Sequence, residues 1–181
     1  MCGGRGSRLD APVEKPLLDV AGRPMVERVR AALADSEVEQ THAVVSPHAP
    51  ATREHLSGGL PLVETPGDGY VADLRTALER VEPPVLTVAA DLPLLAPDVL
   101  DAVLDAFDGE SLAVSVPVAR KRRLGVSVDA TFERDGQRFA PTGVNVVANT
   151  ESETMYETTD DRLTVNVNRP TDVRVAEALL R

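Results

Sequence analysis

The 181-residue chain has one cysteine, no tryptophan, two tyrosines and three phenylalanines. A lone cysteine, Cys2, excludes a disulfide framework and a cysteine-based zinc site. Aromatics at 3% leave no stacking platform for single-stranded nucleic acid. Lysine is scarce too: of 19 basic residues only Lys15 and Lys121 are lysine, and the rest are arginine. The 29 acids outnumber the bases, for a formal charge of −10. That balance argues against wrapping a polyanion, though not against one small phosphate pocket. No apolar run approaches the roughly 18–20 residues that span a bilayer, and no basic-then-apolar leader opens the chain. The expectation is a soluble, cytoplasmic protein with no nucleic-acid partner and no membrane span. The arginine and acid bias fits a high-salt cytoplasm and GC-rich codon usage equally well.

What is present is 43% apolar, enough to bury the core of a single domain over residues 1–181. The rhythm is strand, loop, helix. Met25, Val26, Val29, Ala32 and Leu33 fall at helical spacing, so a helix is expected over 23–35. Residues 41–46 read as a short strand, 49–57 as a helix and 60–64 as a second strand. Val71, Leu74, Leu78 and Val81 mark another helix after the 66–69 turn. Residues 85–90 (VLTVAA) are apolar but for Thr87, as in a strand covered on both faces. Pro97 opens a helix carrying Leu100, Val103, Leu104 and Phe107, and a strand follows over 111–116. Residues 120–165 read as short strands and loops, of which 143–148 is the firmest, and 164–167 as a last short strand. A helix from Pro170 is expected to turn Val173, Ala176, Leu179 and Leu180 inward.

Alternating βα units imply a mostly parallel sheet with helices on both faces. Ligands sit at the carboxyl ends of such strands. The sheet's first strand is expected to be truncated, because the chain opens where that strand should end. Losing a central strand would expose two rows of backbone donors and acceptors, so a start further upstream is expected.

Gly3, Gly4, Arg5, Gly6, Ser7 and Arg8 are followed closely by Glu14, Lys15, Pro16 and Leu17. Glycines let a backbone approach a ligand, and Arg5, Arg8 and Lys15 gather positive charge in one loop. The combination suits a triphosphate; the plain alternative is a tail with solvated arginines. It is not a Walker A loop. Asp91 ends the VLTVAA strand, where a carboxylate can bind a divalent cation or simply shape a turn. His42, His48 and His55 are not expected to form a metal site. The Arg120–Lys121–Arg122–Arg123 run is expected as a solvated loop, with contact to a substrate phosphate as the alternative.

The order GGRGSRL, then EKPLLDVAGRPMV, resembles the opening signature of nucleotidyltransferases of the MobA-like, GT-A type. The resemblance implies an α/β, three-layer Rossmann-like fold. It also implies that Gly3, Gly4, Arg5, Gly6 and Ser7 cradle nucleotide phosphates, with Arg8 on the β/γ end and Lys15 on the α or attacking phosphate. Asp91 would carry Mg2+, assisted by Asn166 or Asn168 in the TVNVNRPTDV tail. Ser46, Thr65, Pro66 and Gly67 become candidates for guanine contacts. Two departures stand out: Cys2 replaces the usual alanine, and Arg169 the usual threonine, a better N-cap. TPGDGYVADL and FAPTGVNVV narrow the resemblance to archaeal adenosylcobinamide-phosphate guanylyltransferases of the CobY type. That family uses GTP and adenosylcobinamide phosphate, and Tyr70, Asp73, Gly143 and Asn145 would shape the corrinoid side. The plain alternative for Tyr70 is packing beneath the nucleotide loop, and a homodimer is left open.

Overall fold

The computed structural model describes residues 1, 2, 9 and 11–181. A short 3-10 turn, Lys15–Leu17, leads into a two-stranded ribbon, β1 (Asp19–Val20) and β2 (Arg23–Pro24). Then come α1 (Met25–Ala34), β3 (Ala43–Val45), α2 (Pro50–Leu56), β4 (Leu62–Glu64), α3 (Tyr70–Leu78) and β5 (Val85–Val88). The second half holds α4 (Pro97–Asp105), β6 (Ser111–Pro117), α5 (Val118–Leu124), β7 (Phe132–Arg134) and β8 (Gln137–Val147). It ends with β9 (Glu153–Glu157), α6 (Asp161–Thr164) and α7 (Pro170–Leu179). Among the described residues no helix is long and apolar enough to cross a membrane.

β3 and β4 pair in parallel. The larger sheet has the order β5-β8-β6-β9, with β7 also on β8. β8 runs against β5, β6 and β7, while β6 and β9 are parallel, so β8 is the one reversed strand of that sheet. Met1 and Cys2 link the two sheets. Cys2 N–H donates to Val44 O (2.8 Å), the Met1 ammonium to Val88 O (2.8 Å), and Ala90 N–H to Met1 O (3.2 Å). Behind this link β3 and β5 face each other across an apolar cavity of about 460 Å3, lined in part by Val44, Leu56, Leu74, Ala77, Leu86 and Val88.

The main core packs Val29 and Ala32 of α1 and Val99, Leu100 and Val103 of α4 against Val88, Val114 and Val144 of the sheet. Both helices present these residues at three- and four-residue spacing, which is why they dock by one face. A second core joins Val20, Met25, Leu94, Val126, Val165, Val167 and Ala176 beneath the carboxyl ends of the strands.

Several expectations change. The basic run lies on helix α5, not in a loop, and Lys121 points inward with Val118 while Arg122 and Arg123 are exposed. Gly125, at φ 75°, ends that helix in the left-handed conformation a glycine adopts freely. Residues 165–168 join no ladder, and Thr164 still belongs to α6. Leu179 and Leu180 are exposed rather than inward, since α7 ends there; its inward face is Asp172 and Ala176. The strand expected over 143–148 is the end of the eleven-residue β8.

Candidate active site

The Glu-Lys-Pro-Leu segment divides its work between neighbouring side chains. Pro16 is buried and sets the 3-10 turn. Ala49 stands at the cap position just before α2, and its methyl side chain has no acceptor to offer. Glu14 supplies the missing acceptor from a distance. Its carboxylate accepts from Ala51 N–H (2.9 Å), Thr52 N–H (2.7 Å) and the Thr52 hydroxyl (2.7 Å). Burial alone would raise the Glu14 carboxyl, but the Thr52 hydroxyl and the two amides outweigh it and hold it below its usual value. With Glu14 fixed, Lys15 reaches across the cavity. Its Nζ donates to Asp91 Oδ2 (2.6 Å) and to Asn168 Oδ1 (2.7 Å).

Asp91 lies just past the carboxyl end of β5. Its Oδ1 is buried and has no hydrogen-bond partner among the described residues. A lone buried carboxylate oxygen is costly unless something polar meets it. Asp91 and Asn168 together offer hard oxygen donors, the kind Mg2+ takes alongside water and phosphate. No group of three or more His, Cys, Asp or Glu residues suited to a metal occurs among the described residues. A cation here would therefore complete its shell from phosphate and water, as Mg2+ in nucleotide sites does. The donor set fits.

Asn168 is held from behind. Asp172, fully buried, accepts from Asn168 N–H (2.9 Å), Arg169 N–H (2.8 Å), Ser127 N–H (2.8 Å) and the Ser127 hydroxyl (2.7 Å). This answers the missing threonine: arginine has no acceptor, so the third residue of α7 reaches back to the helix start instead. Val167 N–H donates to Asp91 O (3.0 Å), which fastens the same segment to the end of β5. Asn166 faces other partners. Its Oδ1 accepts from Lys121 Nζ (3.0 Å) and its Nδ2 donates to Thr142 O. Asn168, not Asn166, thus shares a partner with Asp91.

The opposite wall is the loop after β4. Lys15, His48, Gly67, Tyr70, Asp73 and Asp91 all line a cavity of about 570 Å3. Gly67 has φ 82°, and a Cβ there would come within 2.9 Å of the His48 ring. Its N–H donates to Asp73 Oδ1 (2.8 Å), and His48 Nε2 lies 3.0 Å from its carbonyl. Asp73 is thereby a buried clamp on this loop. Tyr70 is 47% exposed at the rim. Ser46 and Thr65 are buried behind the loop and Pro66 is exposed outside it, so Gly67 is the member of that candidate set on the cavity wall. Gly143 and Asn145 lie on β8, where Gly143 packs on Ala89 and Asn145 Nδ2 reaches Thr87 Oγ1 (3.5 Å); neither lines the cavity. Gly3, Gly4, Arg5, Gly6, Ser7 and Arg8 lie outside the described residues. Sequence reasoning missed the roles of Glu14, Asp172, His48 and Lys121. One signal was available for the last: it is the only lysine besides Lys15.

Known proteins resemble this chain in sequence and in fold. The family model of the MobA-like NTP transferase domain matches residues 1–151. The chain is 30% identical over 196 residues to the adenosylcobinamide-phosphate guanylyltransferase of Methanocaldococcus jannaschii, covering 100% of this chain and 95% of that protein. It is 34% identical over 121 residues to a probable molybdenum cofactor guanylyltransferase of Natronomonas pharaonis, covering 65% of this chain and 59% of that protein. Among solved structures, a putative glucose-1-phosphate thymidylyltransferase from Bacillus anthracis superposes with a TM-score of 0.69 at 14% identity, covering 99% of this chain and 93% of the other. That last likeness is one of fold.

Proposed function

The chain belongs to the MobA-like NTP transferase family, and from that premise we propose that it transfers GMP from GTP to the phosphate of adenosylcobinamide phosphate. The products are adenosylcobinamide-GDP and pyrophosphate. Nucleotidyl transfer rests on one observation: Lys15 and Asp91 line a cavity of about 570 Å3 at the carboxyl end of β5, where the Lys15 ammonium joins Asp91 to Asn168 and Asp91 Oδ1 has no partner among the described residues. The choice of acceptor is supported by similarity to the Methanocaldococcus enzyme along the whole chain.

In this reading a corrinoid phosphate oxygen attacks the α-phosphorus of GTP. The new P–O bond forms as the bond to pyrophosphate breaks, in line. Side chains have little covalent work to do; they position two anions and neutralise their charge. Lys15 exchanges its carboxylate and amide partners for phosphate oxygens. An ammonium on a flexible stem follows such a move better than a planar guanidinium would. Asp91 and Asn168 would hold Mg2+, which when bound supplies positive charge to the nucleotide phosphates. The glycines and Ser7 of the opening loop would offer backbone N–H groups, with Arg8 on the departing end. Gly67 and its neighbours face the base, and Tyr70 offers an apolar rim to the corrinoid. No general base is needed, because a phosphate dianion is already nucleophilic at neutral pH.

The test is direct: purified protein, MgGTP and adenosylcobinamide phosphate, followed by pyrophosphate release, with ATP and CTP as controls. Release dependent on GTP and the corrinoid phosphate is expected. The Natronomonas relative favours one rival, a molybdopterin acceptor. Release with molybdopterin and none with the corrinoid phosphate would replace the acceptor, while GTP binding with no product would leave a non-catalytic nucleotide-binding protein.

A further inference from the structure

The chain uses arginine for nearly every positive charge, and its two lysines stand on either side of one short segment. Lys15 meets Asn168 from the cavity. Lys121 meets the same segment from the protein interior. It is 4% exposed, and its Nζ donates to Thr164 O (2.7 Å) and Asn166 Oδ1 (3.0 Å). Its neighbours in the basic run behave differently: Arg120 pairs with Asp161 at 2.6 Å, and Arg122 and Arg123 are exposed. The run is a solvated face with one inward lysine.

A buried ammonium is expensive. Burial pushes the Lys121 pKa down, against the pull of Asp172, Asp91 and Asp129. An apolar side chain of similar volume would fill such a place without that cost, and such replacements are often neutral or stabilising. Packing alone therefore does not explain the charge.

What it holds leads to the site by two short routes. Asn166, fixed by Lys121, donates to Thr142 O. The next residue, Gly143, has φ 87° and accepts from Ala89 N–H (2.8 Å), two residues before Asp91. On the second route the backbone runs from Asn166 through Val167, which is bonded to Asp91 O, to Asn168. β8 is irregular at the same place. Between the pairs Ala113–Asn145 and Ser115–Pro141, β6 advances two residues and β8 four. The bulge leaves residues outside the ladder, and Thr142 holds it from both sides: its hydroxyl donates to Val114 O (2.9 Å) and accepts from Val144 N–H (3.1 Å), while its carbonyl accepts from Asn166.

The geometry points to Lys121 as a positioning residue of the transferase site: through Asn166 it fixes the 142–143 bulge and the 164–168 segment, so that Asp91 and Asn168 present their oxygens to one cation. It touches neither substrate nor metal. The inference rests on the proposed metal-nucleotide site. A displacement of about 1 Å in such a site can cost on the order of 100-fold in rate.

The experiment compares wild type, Lys121→Met, Asn166→Ala, the double variant and Arg122→Met. Each is measured for Mn2+ binding in the presence of GTP by electron paramagnetic resonance, for pyrophosphate release, and for Tm. Expected for Lys121→Met is a Tm within a few degrees of wild type. MnGTP affinity should weaken, and kcat should fall, by about tenfold or more, with KM for the acceptor changed far less. Asn166→Ala should show the same pattern, and the double variant should lose no more than the worse single, as residues on one path do. Arg122→Met should match wild type. Folded variants with wild-type MnGTP affinity and kcat overturn the inference. So does loss of the fold in both single variants, which makes Lys121 structural only, and so does an equal loss in Arg122→Met, which makes the run a phosphate-binding patch. If wild type binds MnGTP but releases no pyrophosphate with any acceptor, the proposed reaction fails and the binding arm still decides the role of Lys121. A wild type that binds no MnGTP overturns both.

Discussion

Lys15 occupies the place in the site that decides between two cations. Its ammonium lies 2.6 Å from Asp91 Oδ2 and 2.7 Å from Asn168 Oδ1, the same oxygens proposed for Mg2+. The two positive charges compete for one pair of ligands unless nucleotide phosphates draw the lysine away. Lys15→Met should therefore bind Mn2+ more tightly than wild type when no nucleotide is present, by about tenfold, while losing turnover. Equal affinity in the two proteins would remove the competition from the account. Lys15→Arg keeps the charge but replaces a mobile point with a rigid fork. We expect its turnover to fall by at least about tenfold; an unimpaired enzyme would make the lysine incidental. Asp91→Ala removes the carboxylate itself. Groups that stabilise transition-state charge are worth about 100–1000-fold each. Near-normal Mg2+-dependent transfer by this variant would refute the metal assignment. Its fold should persist, because the backbone of Asp91, not its carboxylate, carries the bond to Val167.

At the scale of the element, α2 depends on a residue far from it in sequence. The Glu14 carboxylate caps its first turn through three hydrogen bonds. Glu14→Ala should cost about 1 kcal/mol, the usual worth of a lost cap. Because the folded carboxyl is held below its usual value, the contribution is complete above the unfolded carboxylate pKa and fades as pH falls through the folded one. Urea melts of wild type and variant should therefore differ at neutral pH and converge in acid; a constant gap would mean that packing, not charge, does the holding. A second element-scale test is Gly143→Ala in β8. A Cβ there would lie 2.8 Å from the Ala89 Cβ, at a φ of 87° that side chains rarely adopt. The cost should be about 1–3 kcal/mol by denaturation, with MnGTP affinity falling as Ala89 carries the strain toward Asp91. Unchanged stability would show that the bulge relaxes freely.

The same elements explain how much was legible beforehand. Helices with a clean apolar stripe, such as α1 and α4, could be read from periodicity, and β5 from a run that is apolar but for Thr87, though not its place at the end of the larger sheet. α5 could not. Its sequence, VARKRRL, holds four consecutive bases, and one of its two buried residues is the lysine itself, so counting apolar positions misses the inward face. In the site, Lys15 and Asp91 were legible as types at the right places, but not their contact, which spans 76 residues of sequence. Asn166 and Asn168 were indistinguishable, because residues two apart in an extended run share a face. Only the packing of Lys121 beneath one and Lys15 beside the other separates their roles.

For the molecule as a whole, Met1 and Cys2 are the link between the two sheets among the described residues. The Met1 ammonium donates to Val88 O as a strand amide would, and Met1 O accepts from Ala90 N–H. Beyond that link the facing edges of β3 and β5 border the apolar cavity of about 460 Å3. Residues joined to the amino side of Met1 would enter this space along both edges. An added Val-Ile-Val-Val segment would gain backbone pairing on two sides and bury branched apolar side chains, at about 1.5–3 kcal/mol each, against roughly 1–2 kcal/mol of ordering cost per residue. The net is on the order of 2 kcal/mol, or a rise in Tm of about 4–8 °C for a chain of this size. A Gly-Ser-Gly-Ser extension of equal length should leave Tm unchanged, since it brings no apolar surface and costs more to order. If the two extensions gave the same Tm, the facing edges would not be competent to take a strand, and the packing of α1 and α3 across the cavity would have to close it instead. A rise confined to the apolar extension would also make the Asp91 end of β5 more rigid, and MnGTP affinity should then increase with Tm rather than independently of it.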